Sequence, residues 1–280
     1  MGVDLHTHST ASDGTVEPAE LAREAKAAGL LALALTDHDT TAGVDECGEV
    51  CSDLGVTFVP GIEVSCERGR ERGTLHILGY FVDGDDAGMV AMCEKQGKAR
   101  ADRVPLMLDG LRDAGVEIDE ADVTNEAGEA AVGRPHVATV MMRHGYVGSV
   151  DEAFARYLGP GGAGFVRKDV VTAEEAIGVI HGAGGIAVLA HAVQLRCRDD
   201  DDLNETVERL KGWGLDGIEA IHPDHDGEWV DRVMGLAARL GLITTGGSDY
   251  HGSRKPQRLG SMNVDDEVYQ RLSTAREKRG

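Results

Sequence analysis

The sequence is poor in basic residues. Its 28 lysines and arginines stand against 49 aspartates and glutamates, which gives a formal net charge of -21. A broad nucleic-acid-binding surface requires a basic patch, so this imbalance excludes an extended one. A small anionic substrate remains compatible with the charge, because bound metal ions reverse the sign of the potential locally.

Long hydrophobic runs are also missing. One of the longest, residues 30–35, is far too short to cross a bilayer, so we expect no membrane association. The first residues lack the basic segment and apolar run of a cleaved leader, and we therefore expect a cytoplasmic protein. A hydrophobic content of 41% over 280 residues is typical of a globular enzyme with a large core.

The cysteines are few and form no C-x-x-C pair. Cys47 and Cys51 have the spacing of one helix face, but no second pair completes a zinc site. We therefore expect reduced thiols, buried or half-exposed. The five positions are Cys47, Cys51, Cys66, Cys93 and Cys197.

Short apolar segments alternate with amphipathic ones, which predicts an α/β fold with a mainly parallel sheet. The predicted strands are 3–8, 31–36, 57–62, 74–80, 186–190, 217–221 and 242–246. The predicted helices are 17–28, 173–183, 203–213 and 228–240, with a last solvent-facing helix in the charged C-terminal stretch. Between 87 and 164 we find no strand pattern. We predict a barrel of residues 1–86 and 165–280 with a helical insertion, a lid or subdomain, at 87–164.

Two histidine motifs near opposite ends of the chain share the same spacing of two residues between possible metal ligands. In an extended strand, side chains at i and i+2 point to the same side, so His6 converges with His8, and Asp249 converges with His251. Further ligand types lie at or just beyond the carboxyl ends of predicted strands, the face that carries the active site in β/α barrels. These candidates are His38, Glu63, His76 and His191. Imidazole and carboxylate are common ligands of zinc, manganese and iron, so the pattern predicts a metal site.

These motifs resemble those of the PHP (polymerase and histidinol phosphatase) phosphoesterases over residues 1–260. The matching segments are Asp4-Leu5-His6-Thr7-His8-Ser9, Thr36-Asp37-His38-Asp39, Gly61-Ile62-Glu63-Val64, Leu189-Ala190-His191-Ala192 and Ser248-Asp249-Tyr250-His251. The resemblance implies a distorted seven-stranded β/α (TIM-like) barrel with an inserted helical subdomain. Residues 133–138 are similar to an element of the stand-alone members that act on nucleotide 3′,5′-bisphosphates and short RNA 5′ ends.

The same resemblance implies two to three divalent transition-metal ions, namely Mn, Fe or Zn. The first ion would be bound by His6, His8, Glu63 and Asp249. The second would be bound by Glu63 as a bridge, His76 and His191. The third would be bound by Asp13, His38 and His251. Many members have a histidine in place of Asp13, and an Asp in Ser12-Asp13-Gly14 is also the composition of a simple turn.

The implied reaction is hydrolysis of a small phosphorylated substrate by a metal-bound hydroxide, because two metals can activate water and neutralise the phosphoryl oxygens. The expected catalytic residues are Glu63, His38, Asp249 and His251. The expected phosphate- or substrate-binding residues are Arg134, His136, Lys168 and His225. For Arg134 and His136 the alternative is a surface arginine and a helix-start histidine. Asp37 either orients a ligand imidazole or caps the following helix.

Three other functions are compatible with parts of this pattern. One is a phosphatase acting on histidinol phosphate or another small phosphate. A second is an amidohydrolase-type C–N hydrolase, although such sites use a bridging lysine where this chain has Glu63. A third is a metal-binding or regulatory domain without activity, against which the complete ligand set argues. The chain has no G-x-S-x-G elbow and no phosphate-binding glycine loop, and its oligomeric state is not predicted.

Overall fold

The computed structural model describes residues 2–68, 73–128, 132–166 and 170–279, and these fold as an α/β protein. Within them, eight strands form one sheet. The strands are β1 (Gly2–Asp4), β2 (Ala32–Leu35), β3 (Thr57–Cys66), β4 (Leu75–Tyr80), β5 (Ile186–Leu189), β6 (Gly217–Ile221), β7 (Ile243–Gly246) and β8 (Val264–Asp265). Their order in the sheet is β7-β6-β5-β4-β3-β2-β1-β8.

The described part of the chain also contains ten α-helices. They are α1 (Pro18–Ala27), α2 (Val44–Leu54), α3 (Ala87–Asp113), α4 (Glu120–Ala127), α5 (Arg134–Arg143), α6 (Val150–Ala153), α7 (Ala173–Gly182), α8 (Asp200–Gly212), α9 (Gly227–Leu240) and α10 (Asp266–Arg279). A π-helical turn at Phe154–Leu158 follows α6. Among the described helices, none combines the length and the apolarity that a membrane span requires.

The sheet closes into a ring of seven strands. The backbone N–H of Leu5 donates to the carbonyl of Gly246, and that of His8 donates to the carbonyl of Tyr250, at 3.3 and 2.9 Å. These bonds join the segment after β1 to the end of β7, and β8 adds a short antiparallel edge on β1. The predicted α/β fold is thereby confirmed.

Strand β4 departs from the predicted pattern. It is antiparallel to both neighbours, β3 and β5, whereas the other ring strands run parallel. His76 is the second residue of β4, so the expectation that every ligand follows a carboxyl strand end is wrong at this position. Because β4 is reversed, its amino end lies beside the carboxyl ends of its neighbours, and His76 still reaches the same face of the sheet.

The chain divides into two compact units, each with its own apolar core. Unit 1 consists of Met1–Cys93 and Val171–Gly280, and unit 2 of Glu94–Val170. In unit 1, strands such as β2 and β5 are buried along their whole length, as expected for parallel strands covered by helices. In unit 2, helices pack around residues such as Leu111, Val137 and Met141. The division falls a few residues later than the predicted bounds 87 and 164, and its first boundary lies within α3.

Two elements had no predicted bounds. Helix α2 lies between β2 and β3, where the sequence suggested a helix but no bounds were predicted, and β8 was missed. Helix α2 buries Val44, Cys47 and Cys51, so the two cysteines do share one helix face, as their spacing indicated. None of the cysteines forms a disulfide within the described residues.

Three aspartates hold neighbouring strand ends together in the same way. Each carboxylate accepts two hydrogen bonds from one serine, one from the backbone N–H and one from Oγ, over 2.6–2.9 Å. We call these pairs the aspartate–serine clamps: Asp4 with Ser248, Asp37 with Ser9, and Asp39 with Ser65. They connect the ends of β7, β1, β2 and β3 in turn.

The clamp formed by Asp37 bears on the two roles predicted for this residue. Asp37 accepts hydrogen bonds from Ser9 and Ser12, and α2 begins at Val44 with Gly43 as its N-cap residue. The prediction that Asp37 caps the following helix is therefore wrong. Its carboxylate fixes the segment that follows His8 instead.

Replacing Asp4 tests the contribution of a clamp to stability. We expect Asp4→Asn to lower the free energy of unfolding by about 2 kcal/mol, because the amide turns a donor toward one of the N–H or O–H donors of Ser248 and Gly260. Urea unfolding of the metal-free protein measures the change. The control is Asp83→Asn, an exposed aspartate that caps a turn at Asp85, for which we expect about 0.5 kcal/mol or less. Equal losses in the two variants would contradict the prediction.

Candidate metal centre

The buried carboxylate of Glu63 is the centre of a cluster of five imidazole rings. Its Oε1 lies 2.7 Å from Nδ1 of His76 and 2.8 Å from Nε2 of His191. Around Oε2 the nearest ring nitrogens are those of His38, His8 and His6, at 2.9, 3.3 and 3.4 Å. These imidazoles come from the ends of four strands. The side chain of Glu63 therefore contacts histidines from more than half of the seven strands that close the sheet.

Asp249 extends the cluster on the side of β1. Its Oδ1 lies 3.3 Å from Nε2 of His8 and 3.6 Å from Nε2 of His6. Its Oδ2 contacts Nζ of Lys255 at 2.5 Å. Burial alone would raise the pKa of Asp249, but the charges of Lys255 and His251 hold it well below its ordinary value. The group is therefore a carboxylate at neutral pH.

A further group lies beside the first two. One ligand atom from each of His8, Asp13, His38 and His251 falls within 4.8 Å of the others. The contact between Nε2 of His251 and Oδ1 of Asp13 is 3.3 Å. Three other such groups combine residues around Glu63 and Asp249. The four groups contain all nine predicted ligands and one additional residue, His222.

The chemistry of these residues fits divalent cations. Nε2 of His6 and Oε2 of Glu63 are buried and make no hydrogen bond within the described residues. Burial, together with the neighbouring His251 and His38, holds the pKa of His8 well below its ordinary value, so its ring is neutral and has a lone pair for a metal. A buried carboxylate beside neutral imidazoles is a donor set that zinc, manganese and iron accept.

His222 was not among the predicted ligands, and its hydrogen bonds indicate a supporting role. Its Nδ1 accepts the backbone N–H of Asp224 at 3.0 Å, so the proton of the neutral ring lies on Nε2. That Nε2 lies 3.4 Å from Oδ2 of Asp249, so it faces this carboxylate as a hydrogen-bond donor. His222 therefore supports a predicted ligand and is not itself expected to bind a metal. A protonated ring nitrogen has no lone pair for a metal.

His225 was expected to bind substrate. In the structure it is buried, its Nδ1 donates to the carbonyl of Ala220 at 2.9 Å, and its Nε2 accepts the backbone N–H of Val193 at 3.3 Å. Its ring stacks on Trp229. Both ring nitrogens thus have backbone partners, which is the pattern of a histidine that fixes the chain after β6.

Two of the predicted ligands have strained backbones. His191 has a φ of 23° and Asp249 a φ of 50°, in the left-handed region that side chains other than glycine rarely adopt. Such strain persists only where surrounding contacts fix the residue, and it concentrates at functional sites. Here the backbone N–H of His191 is held by Glu219 at 2.8 Å, a buried carboxylate that the sequence analysis missed.

Two of the predicted phosphate- or substrate-binding residues, Arg134 and His136, belong to unit 2. Arg134, half-buried at the start of α5, donates to the carbonyl of Leu158 at 3.3 Å and lies 5.5 Å from the ring centre of Phe154. His136 caps the same helix, since its Nδ1 accepts the backbone N–H of Gly133 at 3.0 Å. Lys168 lies outside the described residues.

Unit 2 also contains two buried arginines that the sequence analysis did not select, Arg100 and Arg103 on α3. Burial and the charge of Arg100 lower the pKa of Arg134, so these two guanidinium groups are neighbours. Gly133 allows this approach, because a Cβ there would lie 3.1 Å from a terminal nitrogen of Arg100. Two like charges beside a helix N-terminus form a favourable environment for an anion.

Metal binding can be tested through stability. For the chelator-treated protein, we expect Mn²⁺ or Zn²⁺ at about 100 times the dissociation constant to stabilise the fold by about 2.7 kcal/mol, or roughly 5–10 °C in Tm. His8→Gln should lose this shift, since His8 contacts both Glu63 and Asp249. His225→Gln, a change at another buried histidine, should keep the shift. The same shift in His8→Gln as in the unaltered protein would contradict the assignment.

Comparison with known proteins connects this geometry to a family. Residues 4–209 match the family model of the PHP domain. The chain is 38% identical over 256 residues to a phosphoribosyl 1,2-cyclic phosphate 1,2-diphosphodiesterase of Eggerthella lenta, covering 89% of this chain and 94% of that protein. It is 34% identical over 256 residues to a 3′,5′-nucleoside bisphosphate phosphatase of Chromobacterium violaceum, covering 89% and 87%.

Two further comparisons agree. A 5′-3′ exoribonuclease of Haemophilus influenzae is 34% identical over 248 residues, 89% of each chain. A solved structure from Bifidobacterium adolescentis, assigned there as a metal-dependent phosphoesterase, superposes with a TM-score of 0.88 at 31% identity and covers 100% of this chain and 96% of that one. On the family model, these relatives and the shared fold, the chain belongs to the PHP domain family.

Proposed function

We propose that the protein is a metal-dependent phosphoesterase that hydrolyses a nucleotide 3′,5′-bisphosphate to a 5′-mononucleotide and phosphate, or acts on short RNA 5′ ends. The observation that carries the proposal is the position of Glu63. One of its oxygens faces His76 and His191, and the other faces the rings of the HxH motif. A carboxylate in this position can bridge two cations, the arrangement that phosphoester hydrolysis uses.

The nine ligands divide among two to three ions of Mn, Fe or Zn. We assign His6, His8, Asp249 and Glu63 to the first, Glu63, His76 and His191 to the second, and Asp13, His38 and His251 to the third. Bound cations of this kind lower the pKa of water and neutralise phosphoryl oxygens. The protein itself holds the ligands in place through the aspartate–serine clamps and through His222, whose Nε2–H faces Asp249.

Unit 2 supports a substrate with a second phosphate. A nucleotide bisphosphate has one phosphate to be cleaved and one that is only bound, and the second needs cationic side chains. Arg134 supplies a guanidinium group, which suits phosphate because its planar fork makes paired hydrogen bonds. The aromatic rings of Phe154 and Phe165, 5.5 and 6.0 Å from the guanidinium of Arg134, offer faces for a base. His136 and Lys168 remain predictions for the same role.

The relatives favour ribose phosphates over the alternatives. The names of all three refer to RNA, a nucleoside phosphate or a phosphoribosyl compound. Histidinol phosphate has a single phosphate and a cationic amine, so it offers no second phosphate for Arg134 to bind. An amidohydrolase-type site is disfavoured by Glu63, which is in the position where those enzymes use lysine. The relative from Eggerthella lenta makes a cyclic phosphodiester the second candidate substrate.

A substrate panel tests the proposal. We expect kcat/KM for adenosine 3′,5′-bisphosphate to exceed that for histidinol phosphate roughly 10- to 100-fold, because one charge-assisted contact to the second phosphate contributes about 1.5–3 kcal/mol. Phosphoribosyl 1,2-cyclic phosphate and a short 5′-phosphorylated oligoribonucleotide complete the panel. The variant Glu63→Ala gives the background rate. Preference for histidinol phosphate, or undiminished activity in Glu63→Ala, would contradict the proposal.

Arg134 allows a test of phosphate recognition within one helix. We expect Arg134→Met to raise KM for adenosine 3′,5′-bisphosphate roughly 10- to 100-fold while kcat changes less, since the residue binds a phosphate that does not react. Arg143→Met at the other end of α5 is the control, because Arg143 is exposed and pairs with Glu126. Steady-state kinetics of both variants give the KM and kcat values that test this expectation. An unchanged KM in Arg134→Met would remove this residue from the substrate site.

A further inference from the structure

Strand β6 supplies none of the nine predicted ligands, yet it places a carboxylate inside the ring of strands. Glu219, the third residue of β6, is fully buried. Its Oε1 lies 2.9 Å from Nδ1 of His6, and its Oε2 accepts the backbone N–H of His191 at 2.8 Å. We propose that Glu219 is a positioning residue of the metal centre, which sets the tautomer of His6 and fixes the backbone of His191.

The hydrogen bond to His6 determines which ring nitrogen can bind a metal. A carboxylate offers only acceptors, so Nδ1 of His6 carries a proton, and a metal bound by His6 would take the lone pair of Nε2. Nε2 is the nitrogen that faces Glu63 and Asp249, at 3.4 and 3.6 Å. Without Glu219, the ring would be free to rotate or to place its proton on Nε2. Glu219 thereby keeps the lone pair of His6 directed at the other ligands.

The second oxygen acts on a different ligand. The backbone of His191 has a φ of 23°, which is unfavourable for a residue with a side chain. The hydrogen bond from its N–H to Glu219 holds this conformation, from which the Nε2 of His191 reaches Oε1 of Glu63 at 2.8 Å. One buried side chain therefore orients a ligand assigned to the first ion and a ligand assigned to the second.

The variant Glu219→Gln separates orientation from packing, because glutamine has almost the same shape. Its amide has one acceptor and one donor group, whereas both partners of Glu219 are donors. If the amide NH₂ faces His6, the ring must accept on Nδ1 and carry its proton on Nε2. We expect the dissociation constant for Zn²⁺ or Mn²⁺ to rise roughly 10- to 100-fold, the usual effect of losing a residue that orients a ligand. Competition with a chromophoric chelator measures it.

Asp216 offers a matched control just before the same strand. Its Oδ2 lies 2.9 Å from Nε2 of His181 and also accepts the backbone N–H of Ala187 at 2.9 Å. Asp216 thus contacts one imidazole and one backbone N–H, as Glu219 does. These contacts lie at the amino end of β6 and involve no predicted ligand. We expect Asp216→Asn to keep the metal dissociation constant within about twofold, even where it lowers the Tm.

The inference rests on the proposed metal assignment, and the outcomes keep the two apart. If the unaltered protein binds neither metal, the proposed function fails and this inference fails with it. If the unaltered protein binds metal and Glu219→Gln binds it equally well, or if both variants weaken binding alike, only this inference is overturned.

Should Glu219→Gln fail to fold, ¹⁵N NMR of the zinc-loaded unaltered protein decides instead. A His6 ring protonated on Nδ1, with zinc on Nε2, supports the proposal. A proton on Nε2 overturns it.

Discussion

The structure depends on bringing one buried carboxylate within 3.4 Å of five imidazole rings. Glu63 can occupy that position only if the segments that carry the rings meet at one face of the sheet. Parallel strands β1, β2 and β5 meet this condition with their carboxyl ends. Strand β4 meets it by running in the opposite direction, so that His76, near its start, arrives at the same place. The reversed direction of β4, which distorts the ring of strands, thus follows from the need to bring His76 to the same face as the other histidines.

Polar side chains around the ligands make such a crowded arrangement stable. Burying charge is costly unless every oxygen and N–H finds a partner, and the aspartate–serine clamps and Glu219 provide these partners. Glu219 accepts the backbone N–H of the strained His191, and the clamp of Asp4 holds Ser248, the residue before the strained Asp249. The cost of the left-handed backbone at His191 is offset by this hydrogen bond to the neighbouring strand β6. The same few side chains therefore stabilise the fold and hold the predicted ligands in position.

Much of the site could be predicted because its residues repeat simple spacings. His6 with His8 and Asp249 with His251 follow from the two-residue period of an extended chain. The direction of β4 could not be predicted, since alternation of apolar residues is the same in both directions. Glu219 was missed, although an acidic residue inside an apolar strand was the available signal. The buried Arg100 and Arg103 were missed because charged residues on a long helix ordinarily face solvent.

The clamp between Asp4 and Ser248 has a consequence for the biosynthesis of the enzyme. Its partners are 244 residues apart, whereas the other two clamps span 28 and 26 residues. The ligands proposed for the first ion likewise lie far apart in the sequence, because 241 positions separate His8 from Asp249. At a ribosomal rate of about 5–20 residues per second, Asp249 is synthesised roughly 12–50 seconds after His8. An ion held by His6, His8, Glu63 and Asp249 would thus have its full set of proposed ligands only after Asp249 is synthesised, whereas the ligands proposed for the second ion are complete at His191.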